Sequence, residues 1–214
     1  MSEEPTEFEK AEFDSIAREL REDTYTSIGR CITAWSTSES ILVIIAAMLL
    51  DTQPEKAGLV FYSINNFHTW LSIIEELFAL DPKFTPLRPE WIAISNRLRK
   101  LNDTRVSLAH HALGPGKGFK QFVETDNDDL FGVFPTLRPH SSDTRTKSKK
   151  HAPIGLEQLS EFIHELATTQ KMLAALIDRM RPIHLQEKQE LLAKIKRLRQ
   201  QAQEVAAQRG KSNG

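Results

Sequence analysis

The chain has 214 residues, 40% hydrophobic and 27% charged, the balance of a globular protein with one substantial core. A formal net charge of −1 excludes a global field that draws in nucleic acid or anionic lipid, so such binding needs a local patch. The single cysteine, Cys31, excludes an intrachain disulfide and a multi-cysteine zinc site, and suits the cytosol.

Residues 1–23 read as an acidic N-terminal segment, and "MSEEPTEFEK" lacks the basic-then-apolar pattern of a signal peptide. A first helix follows over about residues 24–50. Its stripe is Ile28, Ile32, Trp35, Glu39, Leu42, Ala46 and Leu49, at alternating spacings of four and three. "ILVIIAAMLL" within it has ten residues, against about 20 for a membrane span. Glu39 before it and Asp51 after it favour a buried helix with no membrane partner.

Residues 51–54 break the pattern, and Pro54 suits a helix start. A second helix is expected from there to about Leu80, with the stripe Val60, Ile64, Phe67, Leu71, Ile74 and Phe78. "DPKFTPLRP" carries three prolines and reads as a loop. The third helix starts near Pro89 with Trp91, Ile94, Leu98, Leu101, Arg105, Leu108 and Ala112 on one face, and "GPGKG" stops it.

Residues 113–155 differ. "FKQFVE" and "LFGVFPTL" flank the turn-prone "TDNDD", the pattern of a short β-hairpin. "RPHSSDTRTKSKKHAP" reads as a mobile polar loop, in which Arg145, Lys147, Lys149 and Lys150 are candidate phosphate contacts. A fourth long helix begins near Leu156, with Leu159, Ile163, Leu166, Leu173, Ile177 and Met180 as its apolar positions, and Pro182 interrupts it. The tail, residues 182–214, has strong helix formers and few large apolar residues, and reads as a projecting or partner-bound helix. From Gln186 it holds seven basic and three acidic side chains, so it suits RNA or a partner that packs on Leu191, Leu192, Ile195 and Leu198. The fold class is therefore all-α: an antiparallel bundle of four to five long helices with a small hairpin insertion.

Two stripes place a charge at a seam position, Glu39 and Arg105. An unpaired buried charge costs several kcal/mol, so each requires a partner or water, and a Glu39–Arg105 pair across the bundle is the simplest arrangement. Asn102, Asp103 and Thr104 are weak helix formers, yet the seam crosses them without a phase slip, which predicts one continuous helix.

Arg105, four residues, then His110 fits an arginine–histidine motif, and "RVSLAHH" looks like the "RNxxAHG" version of it. With an early helix bearing "AWSTSE", a second long helix, an insertion after the motif and a closing helix, residues 24–181 resemble the HEPN superfamily. The resemblance implies an α-helical bundle, commonly a homodimer, and a function as a metal-independent ribonuclease, a toxin with an antitoxin partner, or a non-catalytic module. It implies no cofactor. Val106 stands where active members usually have a polar residue, and His111 where glycine is frequent.

The implied catalytic residues are Arg105, gripping phosphate oxygens, and His110, serving as acid or base. Glu39, Asn102, Asp103 and His111 are the candidate supporting residues, and His111 competes with His110 for the same role. On an ideal helix, positions five apart differ by about 140°, so Arg105 and His110 do not share one face. A single site needs a distorted helix end or two chains. The competing functional reading is a non-catalytic binding or dimerisation module. "GPGKG" lacks the spacing of a nucleotide loop, the adjacent histidines make a poor metal pair, and Cys31, Trp35, Trp70 and Trp91 read as core.

Overall fold

The computed structural model describes residues 6–114, 135–138 and 153–212. Helix α1 spans Glu7–Leu49, α2 Pro54–Tyr62, α3 Phe67–Leu80, α4 Arg88–His110 and α5 Leu156–Ser212, with a short 3₁₀ turn at Thr85–Leu87. Strands β1 (Ala112–Gly114) and β2 (Thr136–Arg138) pair antiparallel, Leu113 opposite Leu137. The described residues are thus predominantly helical with one two-stranded sheet, as the apolar periodicity predicts.

α1 starts well before residue 24 because Thr6 and Glu9 form a capping box. Glu9 N–H donates to the Thr6 hydroxyl at 3.3 Å, and Thr6 N–H donates back to the Glu9 carboxylate at 2.8 Å. The helix ends at Asp51, whose φ of 44° is left-handed, while Thr52 N–H reaches back to the Ala47 carbonyl at 2.9 Å. Those bonds satisfy the last carbonyls, and aspartate tolerates that backbone better than most residues.

The single second helix expected over residues 54–80 is two helices, α2 and α3. Asn66 caps α3 by accepting from His68 N–H (2.9 Å) and Thr69 N–H (3.4 Å), and Trp70 Nε1 donates to the Ile64 carbonyl at 2.9 Å. Asparagine bonds its own backbone two and three residues on, which competes with helix continuation. Val60 is consequently exposed, and Ala57, Gly58 and Phe61 are the buried positions of α2.

α5 runs through Pro182 rather than stopping there. A proline removes one N–H donor and frees one carbonyl, here that of Asp178, at a cost of about 3 kcal/mol. Pro182 is exposed, and the segments on both sides are strong helix formers, so the helix tolerates the loss.

The residues form two compact units. The first draws on Met1–Leu42 and Ala93–Met172. There α5 presents Leu159, Phe162, Leu166 and Thr169 at alternating spacings of three and four, all buried. α1 offers Thr24, Cys31, Trp35 and Ser38 at the same period, also buried. Cys31 Sγ lies 3.7 Å from the Leu159 carbonyl, Trp35 stacks on Phe162 at 6.5 Å, and Gln170 donates to the Ala34 carbonyl and the Ser38 hydroxyl. These contacts advance in the same direction along both helices, so α1 and α5 run parallel here. α4 opposes α5, with Arg97 on Glu165 at 2.5 Å and on the Thr169 hydroxyl at 3.4 Å.

The second unit draws on Val43–Ile92 and Leu173–Gly214. Its core is aromatic: Trp70 meets Phe61 edge-on at 5.3 Å, and Phe78 stacks on Trp91 at 5.7 Å. Arg88 pairs with Glu75 at 3.2 Å, and Arg179 with Glu90. The apolar run at residues 41–50 buries Leu42, Val43, Ile45, Ala46 and Ala47, as a core helix does. By length and composition alone α1 is still long and apolar enough to cross a membrane, with an 18-residue window of mean hydropathy 1.6, 39% of it buried.

Candidate functional site at the end of α4

α4 is one continuous helix through Asn102, Asp103 and Thr104, and Ser107 returns its hydroxyl to the Asp103 carbonyl at 3.1 Å. His111 N–H closes the last turn on the Ser107 carbonyl at 2.8 Å. β1 begins one residue later, at Ala112, two residues before the "GPG" that was expected to end the helix. β2 holds β1 on one side and bridges Ile154 on the other, with Leu137 and Ile154 exchanging two backbone bonds of 2.9 and 3.0 Å. This small sheet fixes the end of α4 against the segment that leads into α5.

The expected seam through Leu101, Arg105, Leu108 and Ala112 is only partly buried. Leu108 is 7% exposed, Leu101 is half-buried, and Arg105 and Ala112 are exposed. The buried face instead runs Trp91, Ile94, Leu98 and Asn102, and then turns to Ser107 and Leu108. Periodicity alone did not separate these faces, because a buried asparagine and an exposed arginine invert the usual signal.

The Glu39–Arg105 pair does not form. Glu39 is half-buried and accepts the Trp35 indole N–H at 2.7 Å. Arg105 is exposed and has no carboxylate partner among the described residues, so water solvates its charge. On α1 the buried positions are Cys31 and Ser38, each one residue before the expected Ile32 and Glu39.

Arg105, Val106, Ala109 and His110 are all exposed. At about 100° per residue they span an arc of about 140°, Arg105 on one rim, His110 on the other, and Val106 and Ala109 between. This arc overlaps the face that is buried as far as Asn102. The seam of α4 therefore emerges into solvent over its last two turns. His111 is half-buried beside the sheet, Asn102 is buried, and Asp103 is half-buried.

A cleft of about 570 Å³ lies between α4 and the start of α5, lined among others by Lys100, Asp103, Ser107, Gln158, Glu161 and Phe162. Arg105 and His110 are not among its lining residues. The structure thus brings Asp103 to the cleft and leaves the arginine and histidine on a separate exposed face. Lys100, Glu161 and Gln158 carry no motif, and only the approach of two distant segments joins them.

Cys31 is fully buried, which pushes its thiol up to about 11, the opposite of an activated nucleophile. Among the described residues no three histidine, cysteine or carboxylate side chains group as metal ligands do. Arg145, Lys147, Lys149 and Lys150 lie outside the described residues, as does most of the expected hairpin.

Comparison with protein-family models, curated proteins and solved structures gives no match for this chain.

Proposed function

We propose that the chain is a HEPN-type, metal-independent endoribonuclease that works in the cytosol as a homodimer of helical protomers. The observation that carries the reading is the exposed arc at the end of α4, with Arg105 and His110 on its rims. Histidine titrates near neutral pH, so His110 takes the 2′-hydroxyl proton of RNA. The 2′-oxygen then attacks the adjacent phosphorus, the bond to the 5′-oxygen breaks, and a proton returns to that leaving oxygen. Arg105 stays charged and offers two donors to the phosphate oxygens, where negative charge grows.

One chain cannot close this site on one helix face. Two copies meeting over Val106 and Ala109 bring Arg105 of one to His110 of the other and cover the seam that emerges there. An antitoxin or other protein suits the same apolar surface. The 40% exposure of apolar Val106 specifically favours the second reading, a non-catalytic docking module.

The test is cleavage of mixed RNA in EDTA by the wild type, Arg105→Ala and His110→Ala. Each substitution is expected to cut the rate by about 10²–10⁴-fold. Mixing the two inactive variants restores part of the activity, because a heterodimer regains one intact arginine–histidine pair. No cleavage by any form leaves the docking module, and cleavage that survives both substitutions removes Arg105 and His110 from the chemistry.

A further inference from the structure

Two helical segments far from Arg105 and His110 expose apolar side chains among charges of opposite sign. The first is the start of α1. Residues 7–23 hold seven acidic and three basic side chains, a net of −4. Phe8 is 77% exposed and Ile16 48%, and Glu12, Glu19 and Asp23 are exposed as well. At about 100° per residue these five fall within an arc of about 80°. They make one face, apolar and acidic.

The second is the far part of α5. Residues 186–212 hold seven basic and three acidic side chains, a net of +4. Every described side chain from Leu185 to Gln201 is exposed. Leu185 is 50% exposed, Leu192 58% and Ile195 37%, and Lys196 and Arg199 are exposed beside them. These five lie within an arc of about 100°, a face that is apolar and basic.

We propose that the acidic face of residues 7–23 in one copy of the chain docks on the basic face of residues 185–199 in a second copy. Either helix alone leaves its large apolar side chains in water. Two basic faces together set Lys196 and Arg199 against their own kind, and two acidic faces do the same with Glu12, Glu19 and Asp23. Only the mixed pairing covers both apolar stripes and sets opposite charges beside them. A phosphate backbone would satisfy the cations of α5 and leave Leu185, Leu192 and Ile195 uncovered, so the observations favour protein over RNA. The contact uses neither Arg105 nor His110, and it stands apart from the ribonuclease reading.

Sedimentation of the full chain over a range of concentrations tests it. Exposed opposite charges are screened by salt, so self-association is expected to weaken about tenfold from low to high ionic strength. Lys196→Glu with Arg199→Glu, and separately Glu12→Lys with Glu19→Lys and Asp23→Lys, each lose the association. An equimolar mixture of these two variants regains it, because the acidic helix of one then meets the basic tail of the other. All of these chains are compared in a Val106→Glu background, which removes the α4-arc contact of the proposed dimer and leaves this salt-dependent association intact. Variants that associate like the Val106→Glu chain, a mixture that stays apart, or association lost with Val106→Glu alone would each overturn the proposal. So would a wild type that does not associate at any salt concentration, whether monomeric or with its tail taken up by short RNA in fluorescence anisotropy. The salt dependence of the Val106→Glu chain keeps the test decisive if a further variant loses helicity by circular dichroism.

Discussion

The Trp35 indole N–H donates to the Glu39 carboxylate at 2.7 Å, one turn along the same helix. This bond, rather than an arginine across the bundle, accounts for a half-buried acid beside the core of the first unit. Hydrogen bonds to charged groups contribute about 1.5–3 kcal/mol. Glu39→Ala is therefore expected to cost about 1–2 kcal/mol, while Glu39→Gln, which keeps an acceptor, costs less than about 0.5 kcal/mol. Arg105→Ala, at an exposed position, stays within about 0.5 kcal/mol of wild type. Urea denaturation of the three single variants and of Glu39→Ala with Arg105→Ala checks this. Coupling between positions 39 and 105 above about 0.5 kcal/mol contradicts the assignment.

The break between α2 and α3 depends on Asn66, whose side chain takes two backbone N–H groups of the new helix. Asn66→Ala is expected to cost about 1 kcal/mol, and Asn66→Asp to recover most of it, since aspartate caps as well. Thermal melts of both variants measure the difference. Equal melting temperatures for wild type and Asn66→Ala would show that aromatic packing at Trp70 alone sets this boundary.

Cys31 gives a pH-dependent prediction. Burial raises its thiol from an ordinary 9.0 to about 11, so the native state keeps its proton where the unfolded chain has lost it. The native state binds more protons between these values, and stability therefore falls as pH rises from about 9 towards 11. Cys31→Ser removes that dependence. A thiol reagent at pH 8 reacts slowly with the native chain and at once after denaturation. Rapid native labelling would mean that Cys31 is reached without unfolding.

How much of this was legible in the sequence differs by element. The all-helical character and the core tryptophans follow from apolar spacing, since Trp35, Trp70 and Trp91 are all buried. The early start of α1 was missed, with the helix expected only from about residue 24, although Thr6 with Glu9 three residues on spells a capping box. The seam phase was not legible. Ser38 and Asn102 are polar and look like surface, yet they are buried, whereas Ile32 is 52% exposed. A stripe read from hydrophobicity slips by one residue wherever a polar side chain finds its bond inside, as Ser38 does with Gln170. The exposed arc carrying Arg105 and His110 was legible as a motif and not as a surface, because its exposure depends on where neighbouring segments stop. The cleft beside Asp103 left no trace in the sequence at all.

Pro182 bears on the tail most directly. It sits inside α5 just before the segment whose described side chains are exposed, and it removes a backbone bond to Asp178. The residues beyond it then rely on their own propensity. Arg181 still pairs with Asp178 at 3.4 Å, and Gln186 donates to Glu190 at 2.9 Å, but exposed contacts of this kind hold a helix by only a few tenths of a kcal/mol each. Pro182→Ala restores the missing donor and is expected to stabilise the helix locally by up to about 3 kcal/mol. Hydrogen exchange should slow for the amides after residue 182, with little change before residue 173. If the tail docks on a second copy, high protein concentration slows the same amides in the wild type, and Lys196→Glu with Arg199→Glu abolishes that slowing. Protection that depends on Pro182→Ala alone and never on concentration would place the tail's order wholly within its own helix.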